Sequence, residues 1–369
     1  MEFRDLKTQY MQHKEAIDGA IAAAVAKGQF IGGEPVARLE EALADYAGAR
    51  HCISCANGTD ALLLALMAWG VGEGDAVFVP DFTFFSTAEV VPWVGAEPVF
   101  VDIDRDTFNM SPQALEKAVA DVKAEGRLKP RAVIAVDLFG QCAEYGKIRE
   151  ITEKYGLLLL EDAAQGFGGR IGEKKACSFG DISTTSFFPA KPLGCYGDGG
   201  AVFTDNDEWA DLIRSYKVHG KGVDKYDNIR IGMNSRLDTL QAAILLKKLR
   251  FFEEELESCN RVADSYNERL RGRVKTPTVL QGHYSSWAQY TVRFADGRQR
   301  EEAALRLKEA GIPSMIYYRK PIHALKAFAH IQTYEGSCKA AEEASGTCLS
   351  LPMHAYLQES ELDAICKLI

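Results

Sequence analysis

The chain has 369 residues, of which 47% are hydrophobic and 26% are charged, a balance typical of globular proteins and unlike that of disordered or fibrous chains. Its length predicts one large and one smaller domain, which we place at residues 1–250 and 251–369. The formal net charge of −9 offers no general attraction for nucleic acid or for an anionic membrane, so neither is expected as a partner. Any anionic ligand must therefore be bound by local groups.

The nine cysteines are an odd number in apolar contexts, which indicates reduced thiols in the cytoplasm rather than a disulfide framework. Cys52 and Cys55 have the spacing of a zinc or redox pair. No second pair follows at the distance of a zinc finger, so we expect no metal. The first residues lack the apolar core of a signal peptide, and the longest apolar run, around residues 62–71, is too short to span a bilayer.

Strands and helices alternate along most of the first half of the chain. The spacing of apolar residues predicts helices at 11–27 and 35–46. It then predicts strands at 52–55, 76–79, 98–101, 132–136 and 157–160, with helices at 59–69, from about 84, at 112–124 and at 148–155. Continuous apolar strands between helices indicate a mostly parallel sheet covered on both faces. Ligands of such sheets collect at the carboxyl ends of the strands.

The second half of the chain changes character. A strand at 201–204 and a helix at 208–216 precede a polar loop at 217–231. Residues 232–237 are predicted to open a long helix, which runs into a charged, solvent-facing connection at 253–257. Beyond residue 260 the elements are shorter, with a strand at 288–294 and a helix at 300–310. This part is predicted to form a smaller α+β domain.

Three loops at predicted strand ends carry polar or aromatic side chains. Gly58 and Thr59 open a helix directly after a strand, where N–H groups and a hydroxyl suit a phosphate or form a plain helix cap. Phe84 follows the next strand, either as an aromatic plate for a ligand or as core. Asp162 ends a run of four leucines. A carboxylate there is costly to bury unless it is paired, so Asp162 or its neighbour Glu161 requires a cationic partner or serves as a helix cap.

Lys191 lies in a stretch of aromatic, proline and glycine residues at 186–200. An amine in such surroundings loses hydration, which lowers its pKa toward the range in which it acts as a nucleophile, whereas a surface lysine would stay charged. A phosphate-ready helix start, an aromatic plate, a carboxylate at a strand end and a half-buried lysine are together the parts that hold pyridoxal 5'-phosphate (PLP). The sequence therefore predicts a PLP site.

From about Phe3 to its end the chain resembles the sugar aminotransferases of the DegT/DnrJ/EryC1/StrS family. The resemblance rests on Gly58-Thr59, Thr83-Phe84, Glu161-Asp162-Ala163-Ala164-Gln165, the stretch from Ser186 to Gly200, and Gly232-x-Asn234-x-Arg236. Within the family, the segments around Lys191 and Asn234 are similar to the aminotransferases of UDP-2-acetamido-2-deoxy-3-oxo-glucuronate. The family implies an α/β fold like that of aspartate aminotransferase (fold type I), with a large, mostly parallel sheet domain and a smaller C-terminal α+β domain.

The resemblance also implies roles for the residues that contact the cofactor ring. Lys191 would be the catalytic residue, joined to PLP as a Schiff base and then moving the proton between two carbons. Asp162 would keep the pyridine nitrogen protonated, Gln165 would bond the ring hydroxyl, and Phe84 would stack on the ring.

The resemblance places the cofactor phosphate on two segments of one subunit and one residue of another. Gly58, Thr59 and Ser186 would bind the phosphate within the subunit. Asn234 would reach the phosphate of the neighbouring subunit's cofactor. A homodimer with shared active sites is therefore implied.

Four further residues are candidates for binding the substrate. Arg236 is a candidate for a carboxylate or diphosphate, because a planar guanidinium bonds such groups in a bidentate way. Tyr317 and Tyr318 stand with Arg319 where close relatives carry His-Tyr-Pro, and His323 follows as in many family members. The charges of Arg319 and Lys320 either meet an anionic sugar nucleotide or are ordinary surface charges.

The expected reaction moves an amino group from L-glutamate to a keto carbon of a nucleotide-linked sugar. The carbon is expected to be C3 of a UDP-3-oxo-N-acetylhexosaminuronate, for bacterial surface polysaccharide such as O-antigen. One alternative is amination at C4 of a 4-keto-6-deoxy sugar nucleotide. Another is a catalytically silent, PLP-binding regulatory protein, against which the intact Lys191, Asp162 and Gln165 argue. An NAD-binding enzyme is disfavoured because no G-x-G-x-x-G follows a strand.

Overall fold

A computed structural model describes residues 1–224, 226–331 and 338–369 of the chain. The elements of its first part are α1 (Leu6–Gln12), α2 (Lys14–Lys27), α3 (Glu34–Ala47), β1 (His51–Cys55), α4 (Gly58–Ala68), β2 (Asp75–Pro80), α5 (Ser86–Trp93), β3 (Glu97–Val101), α6 (Pro112–Glu125), β4 (Lys129–Val136), α7 (Tyr145–Tyr155) and β5 (Leu158–Asp162). Each strand and helix predicted between residues 11 and 160 is present, with bounds displaced by at most a few residues.

The second part contains shorter strands and longer gaps between elements. They are β6 (Arg170–Ile171), β7 (Lys174–Lys175), β8 (Ile182–Ser186), β9 (Gly200–Thr204), α8 (Asp207–Tyr216), α9 (Thr239–Lys248), α10 (Phe252–Leu270), β10 (His283–Tyr284), β11 (Tyr290–Arg293), α11 (Gly297–Glu309), α12 (Lys339–Thr347), β12 (Cys348–Leu351) and α13 (Glu359–Leu368). The sequence analysis did not predict β8, which is a central strand.

Two predictions in this part are wrong. The helix expected from residue 232 begins only at Thr239, because the preceding backbone pairs with residues 216–219 instead: the N–H of Met233 donates to Tyr216 at 2.8 Å, and that of Ser235 to Lys217 at 2.9 Å. The charged segment 253–257 is not a connection but lies in α10. Three of its glutamates occupy the first turn, where the positive end of a helix stabilises carboxylates.

The main sheet has seven strands in the order β1-β9-β8-β5-β4-β2-β3. The pairs from β3 to β8 are parallel. Only β9 runs the other way, antiparallel to both β8 and β1. The prediction of a mostly parallel sheet is therefore confirmed, and the carboxyl ends of six strands meet at one edge.

Three clusters of buried apolar side chains hold the fold together. Two of them cover opposite faces of the main sheet, one under α3, α6 and α7 and the other under α4 and α5. The third draws its buried residues from positions 259–366 and surrounds the antiparallel pair β11–β12. Helix α10 connects the first cluster to the third, since Phe252 and Leu256 belong to the first and Val262 belongs to the third. The domain boundary between residues 250 and 251 stays a prediction.

Among the described residues, no helix combines the length and the apolar character needed to cross a lipid bilayer.

Candidate active site

The strand ends open on one cavity of about 640 Å³. Loops after β1 and β2, the last residues of β4, β5 and β8, and the turn that carries Lys191 all contribute to its wall. The predicted residues that line it are Gly58, Thr59, Phe84, Asp162, Gln165, Ser186, Lys191, Tyr317 and Tyr318. The structure thus brings together residues that lie up to 260 positions apart, as the parallel topology predicts.

The end of the cavity at α4 is shaped for a phosphate. Oδ1 of Asn57 accepts the N–H of Asp60 at 2.8 Å, so Asn57 is the helix cap and Thr59 is not. The Thr59 hydroxyl instead lies 2.7 Å from that of Ser86. A Cβ atom at Gly58 would stand 2.7 Å from Cβ of Ser186, so only glycine lets these two segments approach this closely. The first turn of a helix, with two hydroxyls beside it, is a site that suits an anion.

Asp162 lies at the end of β5 and is 5% exposed. Its Oδ1 accepts the N–H of Ala164 at 3.2 Å, and its Oδ2 accepts the Thr87 hydroxyl at 2.9 Å. Burial raises the pKa of Asp162, while these two donors and the positive charge of Lys191 act to lower it. Lys191, on the same cavity, is thus the cation whose charge acts on this carboxylate.

Glu161, the neighbour of Asp162, serves the fold rather than the cavity. Its carboxylate is fully buried and accepts hydrogen bonds of 2.7 Å from the N–H of Cys177, the N–H of Phe179 and the Ser183 hydroxyl. These donors stabilise Glu161 without a cation. Of the two neighbouring carboxylates, Asp162 is therefore the one that lines the cavity.

The Lys191 amine has the lowered pKa that its sequence context predicts. Burial lowers the pKa of this amine, the charge of Asp162 opposes the effect, and the charge of Arg4 adds to it. The N–H of Lys191 donates to the Phe188 carbonyl at 2.8 Å, which closes a tight turn. A larger fraction of this amine is therefore neutral and nucleophilic than for a lysine in water.

Gln165 and Tyr318 also line the cavity and are hydrogen-bonded to each other. Oε1 of Gln165 accepts the N–H of Phe139 at 2.6 Å, and its Nε2 donates to the Tyr318 hydroxyl at 3.3 Å. The amide is therefore held in one orientation, with its nitrogen on the Tyr318 side. Phe84 stands at the mouth and is 55% exposed, so its ring is free to cover a ligand.

Asn234, Arg236 and His323 are not among the residues that line this cavity. Asn234 pairs with Val218, and Arg236 lines a second, open cavity of about 1030 Å³, whose described lining lies within 218–224 and 226–236. His323 is held by Asp81, whose two oxygens accept its N–H at 2.8 Å and contact its Nδ1 at 2.5 Å. The roles predicted for these three residues stay predictions.

Asp81, His323 and Cys338 place three possible metal ligands within 4.8 Å of one another. The Asp81–His323 separation of 2.5 Å is that of a hydrogen bond. Two tetrahedral ligands of one zinc ion, each about 2.0–2.3 Å from the metal, stand clearly farther apart. The group is therefore a hydrogen-bonded pair with a thiol beside it.

Comparison with known proteins places the chain in a family. The model of the DegT/DnrJ/EryC1/StrS aminotransferase family matches residues 11–369. The chain belongs to this family. It is 46% identical to the UDP-2-acetamido-2-deoxy-3-oxo-D-glucuronate aminotransferase of Pseudomonas aeruginosa, over 99% of this chain and 98% of that protein. It is also 41% identical to a pleiotropic regulatory protein of Geobacillus stearothermophilus, over 97% and 94%.

Solved structures of the family confirm the fold. A DegT DnrJ EryC1 StrS aminotransferase from Brucella abortus is 49% identical and superposes with a TM-score of 0.97, over 100% of this chain and 98% of that one. The ntda protein of Bacillus subtilis, 27% identical with a TM-score of 0.87 over 97% and 81%, contains the bound cofactor PMP. The predictions of fold type I, of an aminotransferase and of a PLP cofactor are thereby confirmed.

The residues of this family member fit the cofactor. The close approach of Gly58 and Ser186 leaves a cradle beside the first turn of α4, and Asp162 and Lys191 stand on the same cavity with opposite charges. A phosphate group suits the cradle at Gly58 and Ser186, and a protonated ring nitrogen suits the carboxylate of Asp162.

The sequence did not reveal several residues in or directly behind this wall. The Thr87 hydroxyl donates to Asp162 and lies 3.2 Å from the hydroxyl of Thr83, which lines the cavity. Its signal was a hydroxyl residue in the first turn of a mostly apolar helix. Trp93, Asp198 and Gln289 also line the cavity. Asp198 lies in the stretch 186–200 that the sequence marks, whereas no local pattern marks the other two.

Proposed function

We propose that this aminotransferase moves the amino group of L-glutamate to C3 of a UDP-linked 3-oxo-N-acetylhexosaminuronate, a precursor of bacterial surface polysaccharide. The observation that carries the proposal is the pair of Lys191 and Asp162 on one cavity, with the phosphate cradle at its other end. The sugar is supported by the Pseudomonas aeruginosa relative, whose name specifies a 3-oxo-glucuronate of this kind.

Two residues carry the proton and electron chemistry. Bound PLP supplies a ring that takes up the electrons released when the donor carbon loses its proton. Because burial lowers the pKa of Lys191, its neutral amine serves as nucleophile and then as the base that moves this proton. Asp162 would keep the ring nitrogen of the bound cofactor protonated, because a nearby carboxylate favours a positive charge.

Five residues orient the cofactor. The N–H groups and hydroxyls of Gly58, Thr59 and Ser186 would bind its phosphate. Gln165 would bond the ring hydroxyl, and Phe84 would stack on the ring. Tyr317 and Tyr318 line the cavity and would contact the sugar. His323, outside this lining, is held by Asp81.

The charges of the cavity support a homodimer. Among its described lining residues Lys191 is the one cation, while Asp60, Glu89, Asp162 and Asp198 carry carboxylates. A sugar diphosphate with a further carboxylate requires more positive charge than this wall supplies. We infer that further cations reach the cavity from residues outside this lining, either from Arg319 and Lys320, which follow Tyr318, or from another surface.

The segment 217–236 is such a surface. It carries Lys221, Arg230 and Arg236 beside Val223 and Ile231, which are 96% and 90% exposed. Exposed apolar side chains of this size are typical of an interface. We infer that a second copy covers them and that Arg236 and Asn234 then act in the partner's cavity. All nine cysteines are buried and none forms a disulfide, which supports a cytoplasmic enzyme.

The donor half of the reaction is tested by mixing PLP-loaded enzyme with L-glutamate alone. We expect the absorbance of the bound cofactor to shift to that of the amine form, and Lys191→Ala to abolish the shift. Lys117→Ala, which removes a lysine that is 75% exposed on α6, is the matched control. An unchanged spectrum of the wild type would refute glutamate as donor.

The acceptor is tested with a panel of 3-oxo and 4-oxo sugar nucleotides. Turnover of the 3-oxo-hexuronate supports the proposal, whereas preference for a 4-keto-6-deoxy sugar would establish the C4 alternative.

Shared sites are tested by mixing two inactive variants, Lys191→Ala and Arg236→Ala. In a hybrid dimer one site has both residues intact, so mixing restores activity if the sites are shared. Activity that stays absent after mixing contradicts the shared site.

A second candidate function follows from the name of the Geobacillus stearothermophilus relative, a pleiotropic regulatory protein. A regulator that binds PLP without turnover would leave every sugar of the panel unchanged. The complete set of Lys191, Asp162 and Gln165 on the cavity favours the enzyme.

A further inference from the structure

Two cationic side chains lie behind the turn that carries Lys191. Nη2 of Arg4, in the segment before α1, donates to the carbonyls of Lys191 at 3.3 Å and Pro192 at 3.4 Å. Nζ of Lys248, in the last turn of α9, donates to the carbonyl of Gly194 at 2.6 Å. Three carbonyls of one turn thus accept hydrogen bonds from a guanidinium and an amine that are far apart in the chain.

Lys248 is an unusual residue for its place. It is 2% exposed, on a helix whose other buried residues are mostly apolar. Burial lowers its pKa to about 8, and the charge of Glu255 opposes this effect. An ammonium group in such a position costs far more to desolvate than a methionine of similar size. Two contacts with the same turn offset this cost: the bond to Gly194 and the ring of Tyr196, whose centroid lies 5.2 Å from Nζ.

The turn itself is tight enough for small shifts to matter. A Cβ atom at Gly194 would stand 2.4 Å from the Pro189 carbonyl, so the backbone folds closely on itself here. The N–H of Cys195 donates to Phe187 at 2.8 Å, and the N–H of Tyr196 donates to Oε1 of Gln241, also on α9, at 2.9 Å. Helix α9 therefore bonds this turn at residues 194 and 196, through Lys248 and Gln241.

We propose that Arg4 and Lys248 are positioning residues for Lys191, which fix the backbone of residues 191–194 so that the amine stays on the cavity opposite Asp162. This inference rests on the proposed function, in which Lys191 is the nucleophile. Neither residue lines the cavity, so neither touches the substrate. Arg4 acts in a second way, because its positive charge favours the neutral form of the Lys191 amine.

The experiment uses full-length protein without cofactor. Lys248→Met and Arg4→Met remove the donors, Arg4→Lys restores a donor at position 4, and Lys247→Met is the control on the neighbouring residue of α9. Two readouts are taken: hydrogen exchange of the Cys195 and Tyr196 amides, and the rate at which the absorbance of bound PLP appears after PLP is added.

We expect each Met variant at positions 248 and 4 to speed exchange of these amides and to slow PLP capture, each by on the order of tenfold or more, because a misplaced reacting group lowers rates steeply. Arg4→Lys is expected to recover most of the loss, and Lys247→Met to match the wild type. Exchange and capture that stay at wild-type values would overturn the proposal. The same losses in Lys247→Met would also overturn it.

The two proposals fail in different ways. A wild type that shows no PLP capture, or a Lys191→Ala variant that shows the same capture, would refute the role of Lys191. Normal capture by the wild type and by both Met variants would refute only the positioning role. If Lys248→Met does not fold, the Arg4→Met and Arg4→Lys pair decides the outcome by the same readouts.

Discussion

The Thr87 hydroxyl donates a hydrogen bond of 2.9 Å to Oδ2 of Asp162, which joins the first turn of α5 to the end of β5. Thr87 is 1% exposed, so this bond forms away from water. It is one of the interactions that lower the pKa of Asp162 against the effect of burial. Thr87 therefore supports the ionised form of the carboxylate that faces the cofactor.

Replacing Thr87 by valine tests this role, because valine keeps the shape and removes the donor. A hydrogen bond to a charged group contributes about 1.5–3 kcal/mol, so we expect kcat to fall on the order of 10- to 100-fold. Thr87→Ser retains the hydroxyl and is expected to stay near the wild type. Steady-state kinetics of both variants provide the check, and equal rates for valine and serine would contradict the prediction.

Gly58→Ala is expected to weaken cofactor binding. The added Cβ would stand 2.7 Å from Cβ of Ser186, so the phosphate cradle must open. Overpacking of this kind costs about 1–3 kcal/mol, which corresponds to roughly a 5- to 150-fold higher Kd for PLP. Fluorescence titration with PLP measures it. Gly19→Ala, where nothing stands within 4 Å of the added atom, is the control and should bind as the wild type does.

The buried pair of Asp137 and Glu161 predicts a pH dependence of stability. Burial, and next the charge of Glu161, raise the pKa of Asp137, whose Oδ1 accepts the Tyr145 hydroxyl at 2.8 Å and the N–H of Ala143 at 3.0 Å. A raised pKa means that the folded state binds this proton more tightly. Its contribution to stability is therefore complete below the ordinary aspartate pKa of about 3.9 and is lost as pH rises through the folded value.

Asp137→Asn has no proton to lose and keeps the acceptor oxygen. We expect its stability relative to the wild type to increase with pH over that window, as measured by urea unfolding between pH 5 and pH 9. Asp137→Ala leaves the Tyr145 hydroxyl and the Ala143 N–H unpaired, at a cost of about 1–3 kcal/mol for each. A constant difference between Asn variant and wild type across this range would show that Asp137 does not titrate in it.

The pH dependence of PLP capture by cofactor-free enzyme reports on Lys191. Because burial lowers the pKa of this amine, the capture rate should reach half its maximum below the ordinary lysine pKa of about 10.4. Asp162→Asn removes a charge that raises the pKa, so its midpoint should move to lower pH. Arg4→Met removes a charge that lowers the pKa, so its midpoint should move to higher pH. Shifts in the opposite direction would contradict this electrostatic account.

Most strands of the main sheet could be predicted from the sequence, but the central strand β8 could not. Its five residues, from Ile182 to Ser186, are all buried, yet four of them carry hydroxyls. Ser183 donates to the Glu161 carboxylate, and Thr184 and Thr185 donate to the carbonyls of Glu161 and Ala163. A polar strand becomes a core strand because its partners lie on the adjacent strand, which apolar periodicity does not reveal.

The sequence by itself determined the residues that the chemistry needs and the order in which strand ends deliver them. Gly58 and Asp162 follow or end predicted strands, and parallel strands bring such positions to one edge. Lys191 follows β8, a strand that the sequence did not reveal. The tertiary structure decided what holds them: Thr87 on Asp162, and Arg4 and Lys248 on the turn of Lys191. These partners are 54 to 187 residues apart in the chain, so packing across the sheet creates hydrogen bonds that no local pattern encodes.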